Sequence, residues 1–243
     1  MLLVLSQIVS SVRLNNILHS SGFQLSSKSN LKLYFVGMFY NFFIPGGVGG
    51  DAYKVFKLNK TFDWKTSTLT KIILVDRLIG FIAIGTLIVL LFACFNLLSF
   101  WFRLLAGLLT ISSYFIGKNI IKSLFKSIDS AFFKSYYLSL IVQFLQLLSV
   151  LSLAYGTTSG SLNWIPYGIV FLVSSILSVV SFSGFGAREF TFAYAASFFA
   201  INPDQGIAIA LAFNLITALV SLIGIIFVLN LQNSKLKLQN EVV

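Results

Sequence analysis

Residues 72–95, 97–116, 136–155 and 206–229 are continuous apolar runs of about 20 residues each, the length a helix needs to cross a hydrocarbon core about 30 Å thick. No other feature restricts the chain so strongly. The runs do not alternate, so they do not fit the strands of a β-barrel, which are about ten residues long and apolar at every second position. Charged residues make up 10% of the 243-residue chain, against about 25% in soluble domains. These observations give an all-α integral membrane protein, a polytopic helical bundle. In that setting the net charge of +10 belongs to cytoplasmic loops and to anionic headgroups, not to nucleic acid.

Two further apolar runs are interrupted. Residues 41–54 read NFFIPGGVGGDAYK and residues 181–189 read SFSGFGARE. Proline removes a backbone donor and clashes with the preceding turn, and each glycine costs a helix interior about 1 kcal/mol. Broken backbone inside a bilayer survives only when it is buried in protein or lines a wet cavity. A pair of glycine-interrupted segments in the two halves of a membrane protein points to a binding site made by inverted repeats.

Charge assigns the faces. Arg13, Lys28 and Lys32 make the chain entering residues 31–50 basic, and Lys54, Lys57, Lys60, Lys65 and Lys71 the chain leaving it. The positive-inside rule puts both flanks in the cytoplasm, which a re-entrant hairpin satisfies and a single span does not. The tail, residues 231–243, carries Lys235 and Lys237 and is expected to be cytoplasmic too. Residues 166–201 must then begin and end outside. The expected architecture is two opposed re-entrant helical hairpins, an inverted repeat, with tips meeting near the midplane.

Shorter features carry narrower expectations. Residues 1–12 are apolar but half a span long, and read as the second half of a helix whose beginning is missing, with Arg13 at the interface. Lys118, Lys122 and Lys126, spaced four apart within residues 117–134, suit a membrane-surface amphipathic helix on anionic lipid or a solvated loop. Ser139, Gln143, Gln146 and Ser149 form a helical stripe facing the bundle, as interhelical glue or as a substrate path. Gly206, Ala210, Asn214 and Ala218 form a close-packing stripe, and Trp164 with Tyr167 an aromatic belt. Cys94 reads as a small buried apolar residue, and His19 as a solvated residue of a serine-rich loop. Neither supports a disulfide, a metal site or a catalytic triad. GGVGG follows no strand and lacks the lysine of a nucleotide loop. No metal, cofactor or catalytic residue is assigned.

The candidate substrate-binding set is Asn41, Pro45, Gly49, Gly50, Asp51, Lys54, Asp76, Arg77, Gly184, Gly186, Arg188 and Glu189. Asp76 is too short to reach an interface and needs a partner or water, whereas Arg77 can snorkel. Arg188 at the second tip suits a phosphate, held bidentately. Glu189 would orient that phosphate or receive a cationic headgroup, and Asp51, Lys54 and Asp76 would supply charge from the other half. Half-helix N-termini after the glycines add N–H groups toward an anion. The alternative is an Arg188–Glu189 or Arg188–Asp76 pair that only fastens the hairpins.

The ordered motifs N-F-F-I-P-G-G-V-G-G-D-A-Y-K at 41–54, D-R-L-I-G at 76–80 and S-G-F-G-A-R-E at 183–189 resemble the lysylphosphatidylglycerol synthase transmembrane (flippase-like) family over nearly the whole chain. Lys54 stands where that family usually has Arg, Asp76 where it has Glu, and its proline before the last motif is missing. The resemblance implies one flippase-like domain over residues 1–243, without the N-terminal helices of the family. The aminoacyl-transferring soluble domain of bifunctional members has no counterpart in these residues, so no enzyme activity is expected. The implied function is translocation of a lipid with a charged or polar headgroup, such as aminoacylated phosphatidylglycerol, across a bacterial inner (plasma) membrane. The implied partners are an anionic or aminoacylated phospholipid, the bilayer and a separate lipid-modifying enzyme. The alternative is a membrane-embedded enzyme or accessory subunit acting on a polyisoprenyl-linked or glycolipid substrate.

Overall fold

The computed structural model describes residues 1–44, 47–94, 99–125, 128–157, 163–179, 181, 184–199, 201–233 and 236–239. Among them are nine α-helices: α1 (Leu2–Ser20), α2 (Ser27–Phe43), α3 (Gly49–Phe62), α4 (Thr66–Ala93), α5 (Phe100–Leu124), α6 (Asp129–Thr157), α7 (Trp164–Leu177), α8 (Ala187–Phe199) and α9 (Pro203–Asn233). Four of them, α4, α5, α6 and α9, are long and apolar enough to cross a membrane. The protein is a polytopic helical membrane protein, as its apolar runs require.

Two helical hairpins, α2–α3 and α7–α8, are set among the long helices. The ends of the first lie together, because Phe23 before α2 and Trp64 after α3 are in ring contact at 4.7 Å. The chain after α9 joins the same end: Ser26 N–H donates to the Lys237 carbonyl at 3.1 Å and Gln239 N–H to the Gln24 carbonyl at 2.9 Å. Helix α1 runs antiparallel to α6, with Arg13 bonded to Ser139 and Asn16 to Ser135, so this end of the bundle is where α6 begins. Helix α6 ends 29 residues on, a rise of about 44 Å, at the opposite end. There Gln205 of α9 reaches the Thr157 carbonyl at 3.4 Å, and there the second hairpin opens. The two hairpins therefore open at opposite ends of the bundle.

Their tips meet in the middle. Phe42 and Phe185 are in edge contact at 5.9 Å, and a Cβ placed on Gly47 would lie 3.7 Å from the Val179 carbonyl oxygen. The apolar core divides to match. One cluster gathers Leu69, Ile72, Phe132 and Ile17; the other gathers Leu91, Val150, Phe171 and Phe192. Between them the helices bury polar side chains: Ser10 and Arg13 of α1, Ser139 and Gln143 of α6, Asn214 of α9.

Several expectations need correcting. Residues 1–12 are not a separate half-span; they run on through Ser20 as one 19-residue helix. Arg13 is consequently buried, 6% exposed, not interfacial. His19 lies in the last turn of that helix and its Nε2 contacts the Leu25 carbonyl at 2.9 Å. Lys118 and Lys122 belong to no separate surface helix: the helix of the preceding apolar run extends without a break to Leu124, so they ride on the last turns of α5. Lys118 lies 3.8 Å from Asp129 at the start of α6. Lys126 lies outside the described residues. Cys94 is exposed at the end of α4. Tyr167 is buried in the core, while Trp164 stays largely exposed. Helix α9 extends to Asn233, and residues 237–239 pair with residues 24–26.

Candidate functional site

The first tip is shaped by glycine where the chain comes closest to itself. Helix α2 ends as Ile44 turns extended, with its N–H still bonded to Tyr40 at 2.9 Å. Gly47 takes the left-handed φ of 60°, and α3 starts at Gly49. The Asn41 side-chain carbonyl accepts from Gly50 N–H at 2.8 Å, satisfying one of the free donors of the α3 N-terminus. Gly37 and Gly50 let α2 and α3 touch backbone to backbone. A Cβ on Gly50 would lie 1.7 Å from the Gly37 carbonyl oxygen.

Asp51 sits in the first turn of α3, where a helix N-terminus favours a carboxylate. It accepts from Lys54 Nζ at 3.1 Å and from Arg77 Nε. Arg77 Nη2 also donates to the Gly47 carbonyl at 2.5 Å, so this arginine ties the tip to α4. Lys54 is 5% exposed and lies 4.5 Å over the Tyr34 ring. One residue back on α4, Asp76 accepts a bidentate pair from Arg13, at 2.7 Å from Nε and 2.8 Å from Nη2. Arg13 Nη1 donates to Ser139 Oγ at 2.9 Å. Asp76 thus has the partner its burial demands, but from α1.

The second tip turns on Gly184 and Gly186, with φ of 92° and 81°, conformations that disfavour any side chain. Arg188 and Phe190 N–H groups bond back to the Gly184 and Gly186 carbonyls at 3.1 and 2.9 Å, starting α8. Arg188 Nη1 donates to the Asn214 side-chain carbonyl, and Asn214 Nδ2 donates to Glu189 Oε1 at 2.9 Å. The guanidinium lies 4.8 Å over the Phe213 ring, a cation–π contact. Neither an Arg188–Glu189 nor an Arg188–Asp76 pair forms among the described residues; Asn214 stands between the first two. Arg188 Nε is buried and makes no hydrogen bond to the described residues.

Between the tips lies a cavity of about 340 Å³. Arg13, Arg77 and Arg188 face it, with Asn41, Gln143 and Gln146. No carboxylate is among its described lining residues. The acids stand behind: Asp76 holds Arg13, Asp51 holds Arg77 and Lys54, and Glu189 is held by Asn214. Of the expected site residues, Asn41, Arg77 and Arg188 reach the cavity. Asp51, Lys54, Asp76 and Glu189 brace it, while Gly49, Gly50, Gly184 and Gly186 shape the tips. Pro45 lies outside the described residues. Gln143 Oε1 is buried and unpartnered among the described residues, so α6 offers the cavity an acceptor. The sequence reading missed Arg13 as a site residue and took Asn214 for packing alone. A polar side chain inside the apolar run 206–229 was the signal for Asn214, whereas Arg13, at the end of an apolar run, carried none.

Among the described residues no group of three or more His, Cys, Asp or Glu side chains could hold a metal. No curated protein and no solved structure matches the chain significantly. One family does match, over residues 1–224, a stretch holding both hairpins and every arginine of the cavity. The chain belongs to the family described as the lysylphosphatidylglycerol synthase TM region, and a membrane lipid-related role comes with that membership.

Proposed function

We propose that the cavity receives the phosphate of an anionic lipid headgroup and that the protein carries such lipids between leaflets. The observation supporting this is the set of three arginines facing one cavity from which the acids are withdrawn. Guanidinium matches phosphate geometry better than any other side chain. The cluster holds four cations (Arg13, Lys54, Arg77, Arg188) and three acids (Asp51, Asp76, Glu189), one positive charge in excess. A phosphate supplies the missing anion. An aminoacylated headgroup would bring its ammonium groups against the guanidiniums, so a plain anionic phospholipid is the better substrate.

In this reading both hairpins are re-entrant. Lys28, Lys32, Lys60, Lys65, Lys122 and Lys134 gather at the end where α2–α3 opens, while Arg103 and Asp204 are the charged side chains of the other end among the described residues. That asymmetry supports a cytoplasmic first end, with residues 236–239, and the family supports a bacterial inner membrane as host. The headgroup then crosses between the tips while its chains stay in lipid.

The test is reconstitution in vesicles containing headgroup-labelled phosphatidylglycerol or phosphatidylcholine, with a membrane-impermeant quencher. Wild type is expected to expose inner-leaflet phosphatidylglycerol. Arg188→Ala, verified as folded, is expected to lower that rate at least about tenfold, the loss of about 1.4 kcal/mol of binding. Equal rates for both proteins overturn the reading. A membrane-embedded enzyme would change the lipid's chemical identity; a translocase changes only its sidedness.

A further inference from the structure

Arg77 has two faces. One reaches the central cavity; the other, with Asp51, closes the inner end of a second recess of about 570 Å³ between α3 and α4. Next to the pair this recess is apolar, with Val55 and Phe56 on α3 and Ile73 and Leu74 on α4, and Asn59, Thr66 and Thr70 line its far end. Phe56 and Leu74 are more than half exposed, so the recess opens sideways, away from the bundle. Asp51 and Arg77 are the only charged groups among its described lining residues. An apolar groove and a cationic cavity are thus separated by a single ion pair. Their joint shape is that of an amphiphile, with hydrocarbon outside the pair and an anion inside it.

We propose, building on the translocation reading above, that the α3–α4 groove seats a hydrocarbon chain of the anionic lipid and that the Arg77–Asp51 pair is its door. Lys54 makes the door operable. Asp51 has two cationic partners, Lys54 at 3.1 Å and Arg77. When a phosphate takes Arg77, Asp51 keeps Lys54, and no buried charge is stranded. Removing one member of an ordinary buried pair leaves the other charge uncompensated; this exchange avoids that penalty. Arg77 is also the more exposed partner, its side chain 27% accessible against 14% for Asp51, so it is the member a lipid phosphate meets.

The experiment uses the full chain in nanodiscs doped with phosphatidylglycerol or phosphatidylcholine bearing a diazirine on one acyl chain. Photolysis then precedes mapping of the labelled peptides. In wild type, label is expected to concentrate in residues 48–59 and 66–77, with phosphatidylglycerol favoured over phosphatidylcholine. Leu74→Trp fills the groove from an exposed position and is expected to reduce this label about tenfold. Arg77→Gln leaves Asp51 its Lys54 partner and is expected to bring the two lipids to equal labelling. Label spread along exposed helices such as α5 in proportion to their exposure, or unchanged by Leu74→Trp, overturns the groove. A phosphatidylglycerol preference that survives in Arg77→Gln overturns the door. Labelling does not depend on flux. A failed groove beside an Arg188-dependent flux rejects this inference alone; a labelled groove in a protein that moves no lipid rejects the translocation reading alone.

Discussion

Asp76→Ala is expected to destabilise the protein by about 3–5 kcal/mol, because it leaves the Arg13 guanidinium buried and unpaired. Arg13 is 6% exposed and spends Nε and Nη2 on Asp76, at 2.7 and 2.8 Å. Ser139 is its other partner, and a neutral hydroxyl does not replace a carboxylate. The pair joins α1, α4 and α6 at mid-bundle, so its loss should loosen all three. Replacing the whole pair, Arg13→Met with Asp76→Leu, should recover most of the stability, since well-packed apolar residues often match a buried ion pair. Denaturant unfolding in detergent checks both. A single variant within about 1 kcal/mol of wild type, the scale of an exposed pair, would mean that water reaches Arg13.

Gly50→Ala should do comparable damage by a steric route. The added carbon would lie 1.7 Å from the Gly37 carbonyl oxygen and 2.5 Å from its carbon. Both are backbone atoms, so no rotamer change relieves the clash and α2 must separate from α3. The cost should reach or pass the upper end of the range of about 1–3 kcal/mol for overpacking. Because Gly50 N–H is held by Asn41, the shift also pulls Asp51 away from Arg77. Gly85→Ala and Gly107→Ala are internal controls. Nothing lies within 4 Å of either added carbon, and alanine is favoured over glycine in a helix by about 1 kcal/mol. Thermal melting of the three variants should show one large loss and two neutral or raised midpoints.

Much of this arrangement was legible because membrane physics leaves few choices. Long apolar runs had to be helices. The breaks at residues 41–54 and 181–189 had to find protein or water, and their described residues meet at Phe42 and Phe185. What the sequence hid lay at long range. Arg13 closes an apolar run like any interfacial arginine, and only the continuation of α1 to Ser20 places it opposite Asp76. Arg188 and Glu189 are chain neighbours and invite a direct pair. Successive residues on a helix point about 100° apart, and it is Asn214, 25 residues beyond Glu189, that joins them. Lys118 and Lys122 have the spacing of a surface helix, but spacing does not say whether the helix before them has ended. The withdrawal of the acids behind three arginines is a property of packing that no local pattern encodes.

Passage between the hairpin tips is tested most directly by holding the tips together. With Cys94 changed to serine, Gly47→Cys and Val179→Cys place one thiol on each tip, at positions where a Gly47 Cβ lies 3.7 Å from the Val179 carbonyl oxygen. A short reducible dithiol-reactive cross-linker joins them in reconstituted vesicles. Translocation of labelled phosphatidylglycerol is expected to stop in proportion to the cross-linked fraction and to return on reduction. Undiminished translocation in a fully cross-linked protein would show that lipid takes another route.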